Sequence, residues 1–138
     1  MQKNWLVATL DLLNQAAPVS STLLGTPVTT GMYLVSAYLL ITQPSNSNST
    51  LGPVTLTYTE VETNLVKTLT LGFNDGTGAV VTTNTSNTLG ALLTGTLVIS
   101  AVAGTPVNVT AGYTSKGSTA MRYLVRFRSV LVTGLEVI

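Results

Sequence analysis

The sequence contains no cysteine and no histidine, and its 138 residues carry only six Lys+Arg and five Asp+Glu. Without cysteine there is no disulfide framework. Without histidine and cysteine the common zinc and iron ligand sets are excluded, as are Ser-His and Cys-His nucleophile pairs. A net charge of +1 excludes the clustered cations from which nucleic-acid binders draw their affinity. The charged share is 8%, against roughly a quarter in an ordinary soluble domain. Little charge is left to keep a lone copy soluble. Long apolar runs are missing too: the most apolar segment, Gly31 to Ile41, is about half the length of a membrane helix. In Met1–Leu10 the apolar stretch is broken soon after by Asp11 and Asn14 and no small-residue cleavage site follows, so no signal peptide is expected. These absences exclude most catalytic chemistry, and no cofactor or metal is expected.

What is present is 45% hydrophobic residues, with Thr, Ser and Asn making up most of the rest. The pattern reads as β throughout: Thr, Val, Leu and Tyr alternate and are punctuated by Gly, Pro, Asn and Ser. Trp5 to Leu13 places Leu6, Ala8, Leu10 and Leu12 on one parity and Val7, Thr9 and Asp11 on the other. That alternation suits a half-buried strand, although Ala8 to Gln15 also fits a short helical turn; Pro18 ends either. Val19 to Leu24 reads as a short strand before the turn Gly25-Thr26-Pro27. Gly31 to Gln43 is apolar on both parities, as expected of a strand covered on one face by the core and on the other by a neighbouring sheet or subunit. Pro44 to Gly52 reads as a mobile polar loop. Val54 to Thr59 alternates with Val54, Leu56 and Tyr58 inward, and Leu65 to Phe73 returns beside it. Ala79–Thr83 and Leu89–Leu93 are weak. Thr96–Ala101 and Val107–Tyr113 flank a second Gly-Thr-Pro turn, and Ala120–Val132 closes the series. Its odd positions Met121, Tyr123, Val125, Phe127 and Leu131 are apolar, and its even positions include Arg122, Arg126 and Arg128. About eight strands at this spacing predict an all-β fold, an antiparallel β-sandwich of jelly-roll type. Residues 1–16 form an N-terminal arm or first strand, and residues 17–138 form the sandwich domain.

The order of segments also resembles a known group. The strand Gly31-Met-Tyr-Leu-Val-Ser-Ala-Tyr-Leu39 is followed by Val54-Thr-Leu-Thr-Tyr-Thr-Glu60. The turn and strand Ala103-Gly-Thr-Pro-Val-Asn-Val-Thr110 comes next, then the aromatic-alternating strand 120–128. Over residues 17–132 this series looks like the small β-sandwich virion proteins of tailed bacteriophages: capsid decoration (cement) proteins, head fibres and tail knobs. The resemblance implies a homo-oligomer, commonly a trimer, and a location in the virion, on the capsid surface before the tail. It implies a structural role bound to the major capsid protein or another virion protein, without nucleic acid or membrane. The alternative within the same group is a fibre-tip or tail knob that binds a host glycan or protein. Residues 1–16 have no counterpart in the resemblance.

Four features compete for functional meaning. Glu60 and Glu62 would share a strand face about 7 Å apart, suited to Ca²⁺ or glycosidase chemistry, or they decorate a solvated turn. Asn74-Asp75-Gly76 offers oxygen ligands but lacks the further acids of a Ca²⁺ loop, and reads as a turn. Arg122, Arg126 and Arg128 either face solvent or pair with a neighbour's acids, such as Glu60, Glu62 or Glu136. Trp5 either anchors in a partner's pocket or covers its own core. The expected contact set with a second subunit or a capsid is Trp5, Leu6, Leu10, Arg122, Arg126 and Arg128. Asn48-Ser-Thr50, Asn84-Thr-Ser86 and Asn108-Val-Thr110 match the N-glycosylation pattern, but an Asn- and Thr-rich chain produces it by chance. An enzyme would need Asp11, Glu60, Glu62 and Asp75 to converge in one pocket.

Overall fold

The computed structural model describes residues 6–132. Ten strands follow one another with no helix among the described residues: β1 (Leu6–Gln15), β2 (Val19–Gly25), β3 (Gly31–Gln43), β4 (Ser49–Thr59), β5 (Val66–Thr70), β6 (Phe73–Asn74), β7 (Val80–Val81), β8 (Leu92–Ala101), β9 (Val107–Ser115) and β10 (Arg122–Leu131). They form two antiparallel sheets, a six-stranded one ordered β1-β10-β3-β8-β6-β7 and a four-stranded one ordered β2-β9-β4-β5. Apart from β4–β5 and β6–β7, neighbours in each sheet come from distant parts of the chain, as in a jelly-roll β-sandwich. The count exceeds eight through β6 and β7, each two residues long.

Alternation sets the core. Tyr33, Val35, Ala37, Leu39 and Ile41 of β3 and Tyr123, Val125 and Phe127 of β10 face inward and are buried. From the other sheet Val54, Leu56 and Tyr58 of β4 and Val107, Val109 and Ala111 of β9 meet them. Buried side chains of this kind each stabilise the fold by about 1.5–3 kcal/mol. The tyrosines keep partners for their hydroxyls. Tyr123 donates to the Ala17 carbonyl (2.7 Å) and Tyr113 to the Met121 carbonyl (2.8 Å). Their rings stack with centroids 5.6 Å apart. Burial pushes the Tyr123 phenol up to about 12.

Two close approaches depend on glycine. A Cβ on Gly95 of β8 would lie 2.5 Å from the Gly72 carbonyl oxygen, so only glycine lets β6 cross there. Gly52 has φ +91°, a left-handed value, and a Cβ on it would meet the Thr82 oxygen at 2.6 Å.

The segment 44–52 differs from the mobile loop expected of it. Ser49 to Leu51 already belong to β4, opposite Ser115 to Tyr113 of β9. The loop before them is laced by Asn87, whose side-chain oxygen accepts from the Ser45 amide (2.8 Å) and the Ser49 hydroxyl (2.9 Å). Its side-chain nitrogen donates to the Ser45 and Ser47 carbonyls. Asn46 likewise donates to the Ser118 hydroxyl (2.7 Å) and accepts from the Thr119 amide. These bonds tie three loops together at one end of the sandwich.

β1 is a full edge strand antiparallel to β10, with Ala8, Leu10 and Leu12 packed against the core. β5, the edge of the smaller sheet, is exposed along its whole length. Lys67 stands opposite Tyr58 and therefore on the core-side parity of that edge.

Candidate functional site

The outer face of the larger sheet is built by register. Directly opposed residues share a face, and the outward positions of β10, β3 and β8 line up in rows. Val130–Leu34–Val98 is one apolar row and Leu124–Leu40–Leu92 is another. Between them lie Arg128–Ser36–Thr96 and Arg126–Tyr38–Thr94. β1 extends the two polar rows with Thr9, opposite Arg128, and Asp11, opposite Arg126. The result is a polar strip with apolar rows on both sides, in the middle of an exposed sheet. The leucines of these rows are only half-buried, Val98 is 48% exposed and Tyr38 is 39% exposed.

Asp11 holds both central arginines. Arg128 Nη1 donates to Asp11 Oδ1 at 2.7 Å and Nη2 to Oδ2 at 3.3 Å, a two-pronged contact, while Arg126 Nη1 approaches Oδ2 at 3.3 Å. The hydrogen bond from Arg128, with the positive charge of both guanidiniums, holds the Asp11 carboxyl below the ordinary carboxylate value. Two positive charges thus share one negative one. Ser36, Tyr38, Thr94, Thr96, Arg126 and Arg128 surround an open depression of about 250 Å³. It offers hydroxyls, one aromatic ring and guanidinium donors; it holds no nucleophile with a base beside it.

The outer face of the smaller sheet has a different chemistry. Thr55 and Thr57 of β4 line up with Thr110 and Asn108 of β9 and with Thr70 and Thr68 of β5. The Thr57 and Thr68 hydroxyls are 3.1 Å apart and those of Thr55 and Thr110 also bond.

The candidate contact residues scatter. Trp5 lies outside the described residues, and Leu6 opens β1 opposite Val130. Leu10 points inward and packs against the core, because the parity of β1 that carries the leucines is the buried one. Arg122 donates to the Asn14 side-chain oxygen at 3.4 Å. Arg126 and Arg128 do come together, but the acid they meet is Asp11 of their own chain and not Glu60 or Glu62; Glu136 lies outside the described residues. Asp11 was missed as their partner because 117 residues separate it from Arg128.

The other acids are held by their own turns. Glu60 accepts from the Glu62 amide (2.7 Å) and from the Thr63 amide and hydroxyl, and these bonds lower its carboxyl below the usual range. Asp75 accepts from the Thr77 amide and hydroxyl with the same consequence. Neither pairs with a second carboxylate, and among the described residues no three Asp or Glu gather as metal ligands.

No protein-family model and no curated protein matches the chain. Solved structures do. The globular domain of zebrafish complement 1qA protein is similar at TM-score 0.54 and 13% identity, covering 94% of this chain and 98% of that one. A structure of infectious bursal disease virus, Gx strain, reaches TM-score 0.47 at 12% identity over 95% of this chain and 33% of that one. Eiger TNF from S. frugiperda reaches 0.43 at 13% identity over 94% of this chain and 88% of that one. At these identities likeness speaks for architecture only, and it does not extend to a tailed-phage family. By its strands, its topology and this likeness, the chain is a jelly-roll β-sandwich.

Proposed function

We propose that this protein is a structural building block, not an enzyme: a virion decoration (cement) protein of tailed-phage type. It assembles as a homo-oligomer, a trimer by the resemblance of its segments, and sits on the capsid surface against the major capsid protein or another virion protein. The observation that carries this reading is the contrast between the two outer faces. One is lined mainly with threonines that water can satisfy, with Leu23 and Val66 toward its edges. The other presents two rows of Leu, Val and their neighbours on its central strands, Val130–Leu34–Val98 and Leu124–Leu40–Leu92. Apolar rows left partly open on both sides of a polar strip suit a contact surface with an apolar margin and a polar centre. Covering this face with copies of itself removes Tyr38, Val98 and the half-buried leucines of the two rows from water. An obligate interface of about 2,000 Å² or more outweighs the association entropy, and symmetric placement on a shell multiplies weak contacts.

Within this reading Arg126 and Arg128 are contact residues at the centre of the face and Arg122 lies at its margin. Trp5 and Leu6 belong to the segment that reaches a neighbour. The test is the mass in solution by light scattering, followed by occupancy on capsids. A stable monomer that does not bind shells would sink the proposal. The alternative, a knob that binds a host glycan, has one observation in its favour: Tyr38 stands exposed beside Ser36, Thr94 and two arginines in the depression. Binding on a glycan array, lost in Tyr38→Ala, would favour it.

A further inference from the structure

We infer that the occupant of the Arg126–Arg128 site is Glu62 of a second copy of this chain, carried on the turn between β4 and β5. The inference rests on the self-assembly proposed above and names the pairing within it. It starts from the charges. The central strip of the larger sheet holds two guanidiniums against the single carboxylate of Asp11. In water the excess positive charge costs little. Once apolar rows on both sides are covered, a buried unmatched charge becomes expensive and calls for an acid on the covering surface.

Among the described residues the chain offers four; Glu136 lies outside them. Asp11 is already in place, and Glu60 and Asp75 each hold their own turn through two or more hydrogen bonds. Glu62 is exposed at the tip of the 60–65 turn, and among the described residues its carboxylate makes no ion pair. Its neighbourhood also fits. Leu65 is 59% exposed and Val66 67% exposed, immediately after the turn. An acid with apolar side chains beside it thus matches arginines with apolar rows beside them. Glu60 keeps the turn in shape by accepting from the Glu62 and Thr63 amides. Glu62 is therefore presented on a fixed loop, which lowers the entropy lost on docking.

Such a contact joins two different patches, so it is heterologous, and repetition of it closes a ring or continues as an open chain. A trimer is the smallest ring it allows beyond a pair.

A charge exchange tests the pairing, read as the assembly constant by light scattering and sedimentation, with circular dichroism to verify folding. Glu62→Lys alters only an exposed turn tip, and Arg126→Glu reverses the other side. Each alone should weaken self-association at least about thirty-fold, because each leaves a covered charge without its partner. The two together should recover most of that loss. Single variants that assemble like the unaltered protein, or a double variant no better than either single one, would overturn the pairing while leaving self-assembly standing. An unaltered protein that stays monomeric overturns both, and one that uses Arg126 only to bind a capsid or a glycan overturns the pairing.

Discussion

The two outer faces of this sandwich are made from the same kind of strand, yet one is mostly threonine and the other carries two apolar rows about a charged strip. On the smaller sheet, threonine takes most outward positions of β4 and β5, Val66 excepted, and Thr110 and Thr114 of β9. Its β-branch favours the extended backbone, and its hydroxyl bonds across the strands, as between Thr57 and Thr68. On the larger sheet, the positions of β10, β3 and β8 in the two rows beside the central strip are leucine and valine. Propensity for β structure is served equally well by both choices. The difference lies in the surface each face leaves over: hydroxyls on one side, two apolar rows about a charged strip on the other.

That contrast can be broken experimentally. The largest effect is expected from deletion of residues 1–16. β1 contributes Ala8, Leu10 and Leu12 to the core as well as Asp11 to the contact face. Its loss should cost about 4 kcal/mol or more of folding free energy, visible as a lower urea midpoint. An unchanged midpoint would mean that β1 is a dispensable arm. Next comes the paired substitution Leu34→Lys with Leu124→Lys, which should reduce self-association at least about a hundred-fold without loss of folded signal. Thr57→Lys with Thr110→Lys, on the other face, should leave the mass unchanged. If both pairs act alike, the two faces are not functionally distinct.

Tyr123 probes the seam between the sheets, since its hydroxyl reaches the Ala17 carbonyl just before β2. Its phenol is raised from 10.0 to about 12 in the folded protein. The neutral form is thus favoured on folding. The associated stability is complete below pH 10 and is lost as pH rises through about 12, by on the order of 2–3 kcal/mol. Tyr123→Phe should abolish that alkaline slope in a denaturation series. The smallest effect belongs to Asp11, whose carboxyl is lowered by the Arg128 hydrogen bond and by charge. A depressed carboxylate contributes above its ordinary value of 3.8 and loses that contribution as pH falls through the folded value. Because the group is exposed, folding should hardly register the change. Self-association should weaken in acid, and Asp11→Asn should mimic this at neutral pH.

Much of this was legible in the sequence wherever neighbours along one strand carry the signal. The alternation of β10 foretold that Tyr123, Val125 and Phe127 face inward and the arginines outward, and Val54, Leu56 and Tyr58 were equally readable. What was hidden depends on pairing at a distance. Ser49 and Leu51 resemble loop residues until β9 and Asn84 supply their hydrogen bonds. Asp11 has no visible partner until β1 lies beside β10. The same register that delivers Asp11 outward turns Leu10 into the core, so the most apolar parity of β1 was the less informative one for contact.

Lys67 carries a consequence for how large an assembly grows. It occupies the core-side parity of β5, the exposed edge of the smaller sheet. An edge strand without such an obstacle would accept the backbone of any passing strand and pass the invitation on. A cation in that position raises the cost of covering the strand with another sheet. Backbone pairing at this edge, which has no natural end, is thereby disfavoured, and any association is left to side-chain contact, which symmetry can close at a finite size.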